Sequence, residues 1–347
     1  VKKIRKIILV FALLSVAMFS LTACGKDKNA LNVYNWGDYI DESVIKQFEE
    51  EYHIKVNYET FATNEDMYVK LKKGGTNYDV VIPSDYMITK MINENMLEKI
   101  DMKNIPNFKD IPAKFKNLAF DPKNQYSVPY MWGTVGIIYN TKLIKDKIDS
   151  WDALWNPKYK DQILMVDSQR DAIAVALKKL GYSINTRNKD ELKKAEQELM
   201  KQKPLVRAYV GDEVKDLMVD EEGSIAVVWS GDAVTMMKNN PNLRYVIPKE
   251  GSNLWFDNMV IPKGSAHKKQ AELFINFMTR PDISLKNVDY IGYSTPNAKT
   301  MEMLDPETKN DKAAYPEDEK LKKCEVFIDL GDFIKDYDRA WTEIKVK

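Results

Sequence analysis

Asp79-Val-Val-Ile82 is the stretch that most narrows what this chain can fold into: a brief, unbroken apolar run closed by Pro83. That is the pattern of a strand covered on both faces. It ends a longer series. Leu31 and Val33 alternate ahead of Trp36 as a first strand, and Ile54, Val56 and Tyr58 alternate as a second. Between them Asp41 is placed to cap a helix reaching about Tyr52, with Val44, Ile45 and Phe48 on one face. Asn64 is placed to cap another through Lys73, stopped by Gly74-Gly75. Strand, helix, strand, helix, strand is the α/β pattern, in which ligands sit beyond the carboxyl ends of the strands. Trp36, Asp38, Ser84 and Tyr86 fall at such ends.

The alternation resumes after a loop-rich, polar stretch over 104–129. A strand over 133–139 carries the chain into a second lobe. There the pattern predicts a helix near 151–155, a strand at 163–166 and a helix at 172–180 ended by Gly181. A charged amphipathic helix follows over 189–203, then a strand at 225–228, a helix at 233–239 and a strand at 243–247. Residues 253–261 are the expected return crossing. Helices at about 267–278, 283–289 and 333–344 complete the chain.

The N-terminus carries Lys2, Lys3, Arg5 and Lys6 before an apolar stretch over 7–19. This has the shape of a secretory signal. Leu21-Thr-Ala-Cys24-Gly25 resembles the lipobox of bacterial lipoproteins, which implies cleavage before Cys24, a lipid on that residue and a tether over 24–30. The apolar run is short for a membrane span of about 20 residues. The expected place is the outer face of the cytoplasmic membrane. Cys324 is the only other cysteine, so no disulfide framework is expected; it reads as a small, partly buried filler. Lysine plus arginine and aspartate plus glutamate both number 52, and removing four basic residues and no acid from that neutral chain leaves −4. A mildly acidic body argues against nucleic acid as a partner and does not oppose a cationic ligand.

Two further segments repeat the ending of the first strand. An apolar run over 225–228 closes on Trp229, with Asp232 three residues on, and Trp255-Phe-Asp257 puts an indole and a carboxylate on one side of an extended segment. An aromatic face beside a carboxylate suits an organic cation with an apolar chain: the ring contributes roughly 0.5–2 kcal/mol, and the carboxylate a charge-assisted hydrogen bond. The structural reading competes: each Trp as core, each Asp as a helix cap. The known catalytic and nucleotide motifs are absent from the sequence, and it offers no metal spacing; no cofactor, metal or catalytic residue is expected. His53 and His267 sit among polar neighbours and read as surface residues. A different class stays open, a secreted glycoside hydrolase using Asp38 and Asp257 as a carboxylate pair.

Tyr34-Asn-Trp-Gly-Asp-Tyr39, Tyr78-Asp-Val-Val-Ile-Pro-Ser-Asp-Tyr86, Ser127-Val-Pro-Tyr-Met-Trp-Gly133, Leu180-Gly-Tyr182, Trp229-Ser-Gly231, Trp255-Phe-Asp257 and Ile291-Gly-Tyr-Ser-Thr-Pro-Asn297 occur in that order. Together they resemble the polyamine-binding proteins of spermidine/putrescine ABC importers, over essentially the whole mature chain. The resemblance implies an α/β, two-lobed, periplasmic-binding-protein-like (type II) fold with a hinged central cleft. Residues 31–132 and 255–301 would form one lobe and 133–254 the other, with 302–347 packing on the second. It implies a spermidine or putrescine ligand and membrane ABC permease subunits as partners. Carried over by position, it puts Trp36, Asp38, Tyr39, Ser84, Tyr86, Asp171, Trp229, Asp232, Trp255, Asp257 and Tyr293 in the ligand box. Tyr130 and Trp132 are left to packing. Two departures bear on the ligand: Ser168 stands where spermidine-selective members carry Asp, and Phe327 where they carry Gln. Asp232 resembles the putrescine-selective members. A same-fold binding protein for another small solute, or a sensory receptor, is the alternative within the fold.

Overall fold

The structure, a computed structural model, describes residues 30–75 and 77–346. The expected signal segment 1–23, Cys24 and the tether up to residue 29 lie outside the described residues. In chain order the first elements are β1 (Ala30–Trp36), α1 (Glu42–Tyr52), β2 (Lys55–Phe61), α2 (Asn64–Lys73), β3 (Val80–Val81) and α3 (Asp85–Asn93). β4 (Ser127–Asn140), β5 (Ile163–Val166), α4 (Gln169–Lys179) and α5 (Lys189–Gln202) come next. They are followed by β6 (Val206–Val210), α6 (Val214–Val219), β7 (Ile225–Trp229), α7 (Ser230–Asn239), β8 (Leu243–Val246) and β9 (Leu254–Val260). Then α8 (Lys268–Met278), α9 (Pro281–Ile291), three short helices and α13 (Ile334–Val346) close the chain, the short ones being α10 (Ala298–Met303), α11 (Pro306–Asn310) and α12 (Asp318–Leu321).

The strands form one path, β2-β1-β3-β9-β4-β7-β5-β6, with β8 beside β4. β2, β1 and β3 are parallel, and β9 returns antiparallel between β3 and β4. β4 changes partners along its length. Residues 127–134 pair with β9, and residues 135–140 pair with β7 and β8. The chain thus crosses once within β4 and returns between β8 and β9, which divides the sheet into two α/β halves. This is the two-lobed frame. α13 lies on the second half, where the Tyr337 hydroxyl donates to the Thr186 carbonyl at 3.0 Å and Lys203 Nζ to that of Ile344 at 2.8 Å.

Local chemistry explains most of these elements. Leu31, Val33, Val80 and Val81 are fully buried, as strands covered on both faces require. Asp41 caps α1 by accepting from Ser43 N at 2.8 Å, and Val44 and Phe48 turn inward, with Phe48 edge-on to Phe274 and Phe277. Two expectations are corrected. The cap of α2 is Thr63, whose hydroxyl accepts from Asp66 N at 3.1 Å, and not Asn64. His267 is half-buried, its Nδ1 3.2 Å from the buried carboxylate of Asp79, rather than a surface residue.

Candidate functional site

The carboxyl ends of β1, β3, β5 and β7 converge, and the site is built on the residues just beyond them. Asp257, on β9, is 6% exposed. Its Oδ2 accepts from the Tyr39 hydroxyl at 2.7 Å and its Oδ1 from Ser84 Oγ at 2.6 Å. Ser84 occupies the cap position of α3 but makes no side-chain cap bond; its hydroxyl is turned to Asp257 instead. Asn64 holds it there: Asn64 Nδ2 donates to Ser84 Oγ and to the Tyr86 hydroxyl, both at 3.1 Å, and Asn64 Oδ1 accepts from Ser84 N at 3.2 Å. Sequence reasoning missed Asn64 by making it a cap. The Thr63-x-x-Asp66 spacing was the signal, since a cap at Thr63 frees the next side chain to point inward.

Around this carboxylate the rings touch in sequence. Tyr39 is edge-on to Tyr293 at 5.3 Å, and Tyr293 edge-on to Trp255 at 5.3 Å. Two glycines make that approach possible. A Cβ on Gly133 would lie 2.5 Å from the Trp255 ring, and one on Gly231 2.3 Å from the Tyr293 ring. Tyr130, at a bulge in β4, packs behind Tyr39 and donates its hydroxyl to the Tyr39 carbonyl at 2.7 Å. Trp132 sits against Phe115 and donates to the Thr295 carbonyl.

Two more acids face the same box. Asp171, in the first turn of α4 and 6% exposed, accepts from Ser168 Oγ at 2.8 Å and from Asn253 Nδ2 at 3.1 Å, with the Trp229 indole nearby favouring its charged form. Asp232, in the first turn of α7 and 6% exposed, lies beside Tyr293, whose hydroxyl favours its charged form. Trp36 is half-buried against Phe61 at 4.6 Å. Among the described residues the indole nitrogens of Trp36 and Trp255 are buried with no partner.

Asp38 stands apart. Its side chain is 66% exposed at the rim and pairs with Lys215 at 2.9 Å. The two halves of the carboxylate pair that a hydrolase would need therefore sit in unlike places, one buried and one at the rim. Tyr86 lies at the other end, donating to Glu65 Oε1 at 3.0 Å and edge-on to Phe327 at 6.0 Å. Arg170, a residue with no local sequence signal, is 3% exposed there, its guanidinium 4.3 Å from the Phe327 ring centre and 5.4 Å from that of Tyr86.

Burial sets the electrostatics. It pushes Asp257 up to about 6, with the Asp171 charge adding to it and the Ser84 and Tyr39 hydrogen bonds opposing it. Burial likewise pushes Asp232 up to about 6, while Lys215 pulls the other way. Asp171 is raised by burial against its hydrogen bonds from Ser168 and Asn253. Tyr39, Tyr86 and Tyr293 are raised well above the usual phenol range by burial, so they remain neutral donors. Among the described residues no lysine or arginine pairs with Asp257, and no cluster of three or more His, Cys, Asp or Glu could hold a metal ion. Such a box can hold an organic cation: three buried acids for ammonium groups and aromatic walls for methylenes.

The chain also resembles known proteins. The sequence profile of the bacterial extracellular solute-binding proteins matches residues 43–316. The spermidine/putrescine-binding periplasmic protein of Salmonella typhimurium is 39% identical over 334 residues, covering 95% of this chain and 96% of that protein. The putrescine-binding periplasmic protein of Pseudomonas aeruginosa is 32% identical, covering 92% of each. Among solved structures, the spermidine/putrescine ABC transporter substrate-binding protein of Streptococcus pneumoniae superposes with a TM-score of 0.80 at 45% identity, covering 91% of this chain and 98% of that one. A lipoprotein of Treponema pallidum superposes at 0.82 with 29% identity, covering 91% and 99%.

Proposed function

The chain belongs to the bacterial extracellular solute-binding proteins, and from that premise we propose that it captures putrescine or spermidine outside the cell for delivery to an ABC importer. One observation carries the reading. Asp257 is a buried carboxylate whose only partners among the described residues are neutral hydroxyls. A buried charge without a counter-charge is costly, and an ammonium is the counter-charge the aromatic walls suit. Asp257 takes one ammonium, with Ser84 and Tyr39 orienting the carboxylate. Asp171 and Asp232 offer the acceptors for a second. Trp36, Trp229, Trp255, Tyr39, Tyr86 and Tyr293 enclose the chain between them.

Capture is a closure. Lys215 and Asp38, from opposite halves, are paired in this conformation, so ligand enters when residues 31–132 with 255–301 part from residues 133–254. It is trapped when they return by hinge motion. Closure dries the site and strengthens each charge pair, and it creates the surface a permease subunit reads. Residues 1–23 serve as the export signal, and Cys24 carries the lipid that holds the protein at the outer face of the membrane. The reading assigns no turnover. Calorimetric titration of the body from Gly25 onward with putrescine, spermidine and an uncharged diol tests it. Saturable binding of either amine with silence toward the diol is expected; silence toward both amines overturns the ligand.

A further inference from the structure

Lys215 lies on α6, in the half that carries β5 to β8, yet its ammonium sits 2.9 Å from Asp38 Oδ2 at the end of β1 in the other half. The pair spans the cleft. Two features of the β1 turn support this approach. Asp38 holds φ at +43°, a left-handed conformation uncommon outside glycine. The preceding Gly37 is so near the loop after β6 that a Cβ there would meet Asp212 Oδ2 at 3.4 Å. Asp232 and Asp212 add their fields: burial lowers the proton affinity of Lys215, and Asp232, Asp38 and Asp212 together outweigh it. One native cation is thus paired with Asp38 and held in the field of two further acids.

This end of the cleft is continuous with the aromatic box. Tyr293 lies against Gly231, the neighbour of Asp232, and packs on both Trp255 and Tyr39. Beyond Asp232 opens a cavity of about 540 Å³, whose lining includes Asp38, Lys215, Asp216, Asp232 and Tyr290. The second native cation of the cleft behaves differently. Arg170 is 3% exposed and fixed between rings, with its guanidinium donating to the Ile328 carbonyl and Asn185 Oδ1. It is wall. Lys215, 22% exposed on a flexible stem and tied to an exposed acid, is the cation that an incoming ligand meets.

We propose that Lys215 is a length filter: its ammonium takes the place at the Asp38–Asp232 end of the cleft that the far ammonium of a longer polyamine would need, and so biases the site toward a diamine over a triamine. The inference rests on the polyamine reading and deepens it. A ligand whose charges end within the box leaves the Lys215–Asp38 pair intact. One with a further ammonium reaches Asp38 only by displacing Lys215, against like-charge repulsion.

The test titrates the full-length body with putrescine and spermidine at one ionic strength, for the wild type, Lys215→Gln, Lys215→Arg and Lys215→Gln combined with Asp38→Asn. Thermal melts accompany each to show folding, and Lys215→Met replaces Lys215→Gln if that variant does not fold. Lys215→Gln is expected to raise spermidine affinity relative to putrescine by tenfold or more. Lys215→Arg should keep the wild-type ratio, and Asp38→Asn should remove at least half of the gain on a logarithmic scale. A ratio that stays within twofold in Lys215→Gln overturns the filter. So does an equal loss for both amines, which would make Lys215 a clasp of the closed state and nothing more. A wild type that binds neither amine overturns the functional reading and this inference with it; a wild type that binds with an unmoved ratio overturns the inference alone.

Discussion

Asp257 is a residue the fold would be more stable without. Held at about 6 against an ordinary value of 3.8, its ionised form costs the ligand-free protein about 3 kcal/mol at neutral pH. Between those values the native state binds more protons than the unfolded chain. Stability from this group therefore falls as pH rises from about 4 through 6 and is regained on acidification. Asp232 contributes in the same direction. An ammonium removes the penalty. Asp257→Asn should accordingly weaken amine binding by roughly 2–5 kcal/mol, at least thirtyfold or so by titration, while its melting temperature at pH 7 stays level or rises. Binding needs the charged carboxylates, so affinity should strengthen from pH 5 to pH 8, with protons released on binding near pH 6. Calorimetry in buffers of different ionisation enthalpy reads that release; a flat profile would contradict it.

Elements place these side chains, and here the sequence was uneven. The strand ends were legible: Trp36, Ser84, Trp229 and Asp257 fall where alternation and Gly or Pro punctuation put them. β4 begins six residues before the expected strand, because Pro129 reads as a breaker; the bulge at Tyr130 accommodates it and aims that ring beneath Tyr39. β6 was missed altogether, its Val206, Ala208 and Tyr209 being only half-buried and too weakly patterned to declare a strand. Asn64 was misplaced although the Thr63-x-x-Asp66 spacing marked the cap, and Lys215 was invisible because it acts on Asp38, far along the chain, where no local period encodes the contact. The glycines are a further tertiary effect. Gly231→Ala should drive its Cβ into the Tyr293 ring, weakening amine binding and lowering the melting temperature together, since overpacking typically costs about 1–3 kcal/mol. Titration and a thermal melt on one sample check this, and unchanged affinity would show that Tyr293 does not line the ligand.

At the scale of the molecule, β4 ties the two halves while the cleft is held by contacts that can break, Lys215 with Asp38 and the Arg170 guanidinium over the Tyr86 ring. Closure then depends on where charge resides, since a cation among Asp257, Asp171 and Asp232 draws both halves together. Spin labels at exposed Val69 and Leu143, in a Cys324→Ser background, should show a shorter and narrower distance once amine is added. The most direct test of the central claim is a crystal structure of the body with bound putrescine. The account predicts an ammonium nitrogen about 2.7–2.9 Å from the Asp257 carboxylate, with the methylenes against Trp255 and the tyrosine rings. An amine seated elsewhere, with Asp257 still bonded only to Tyr39 and Ser84, would contradict it.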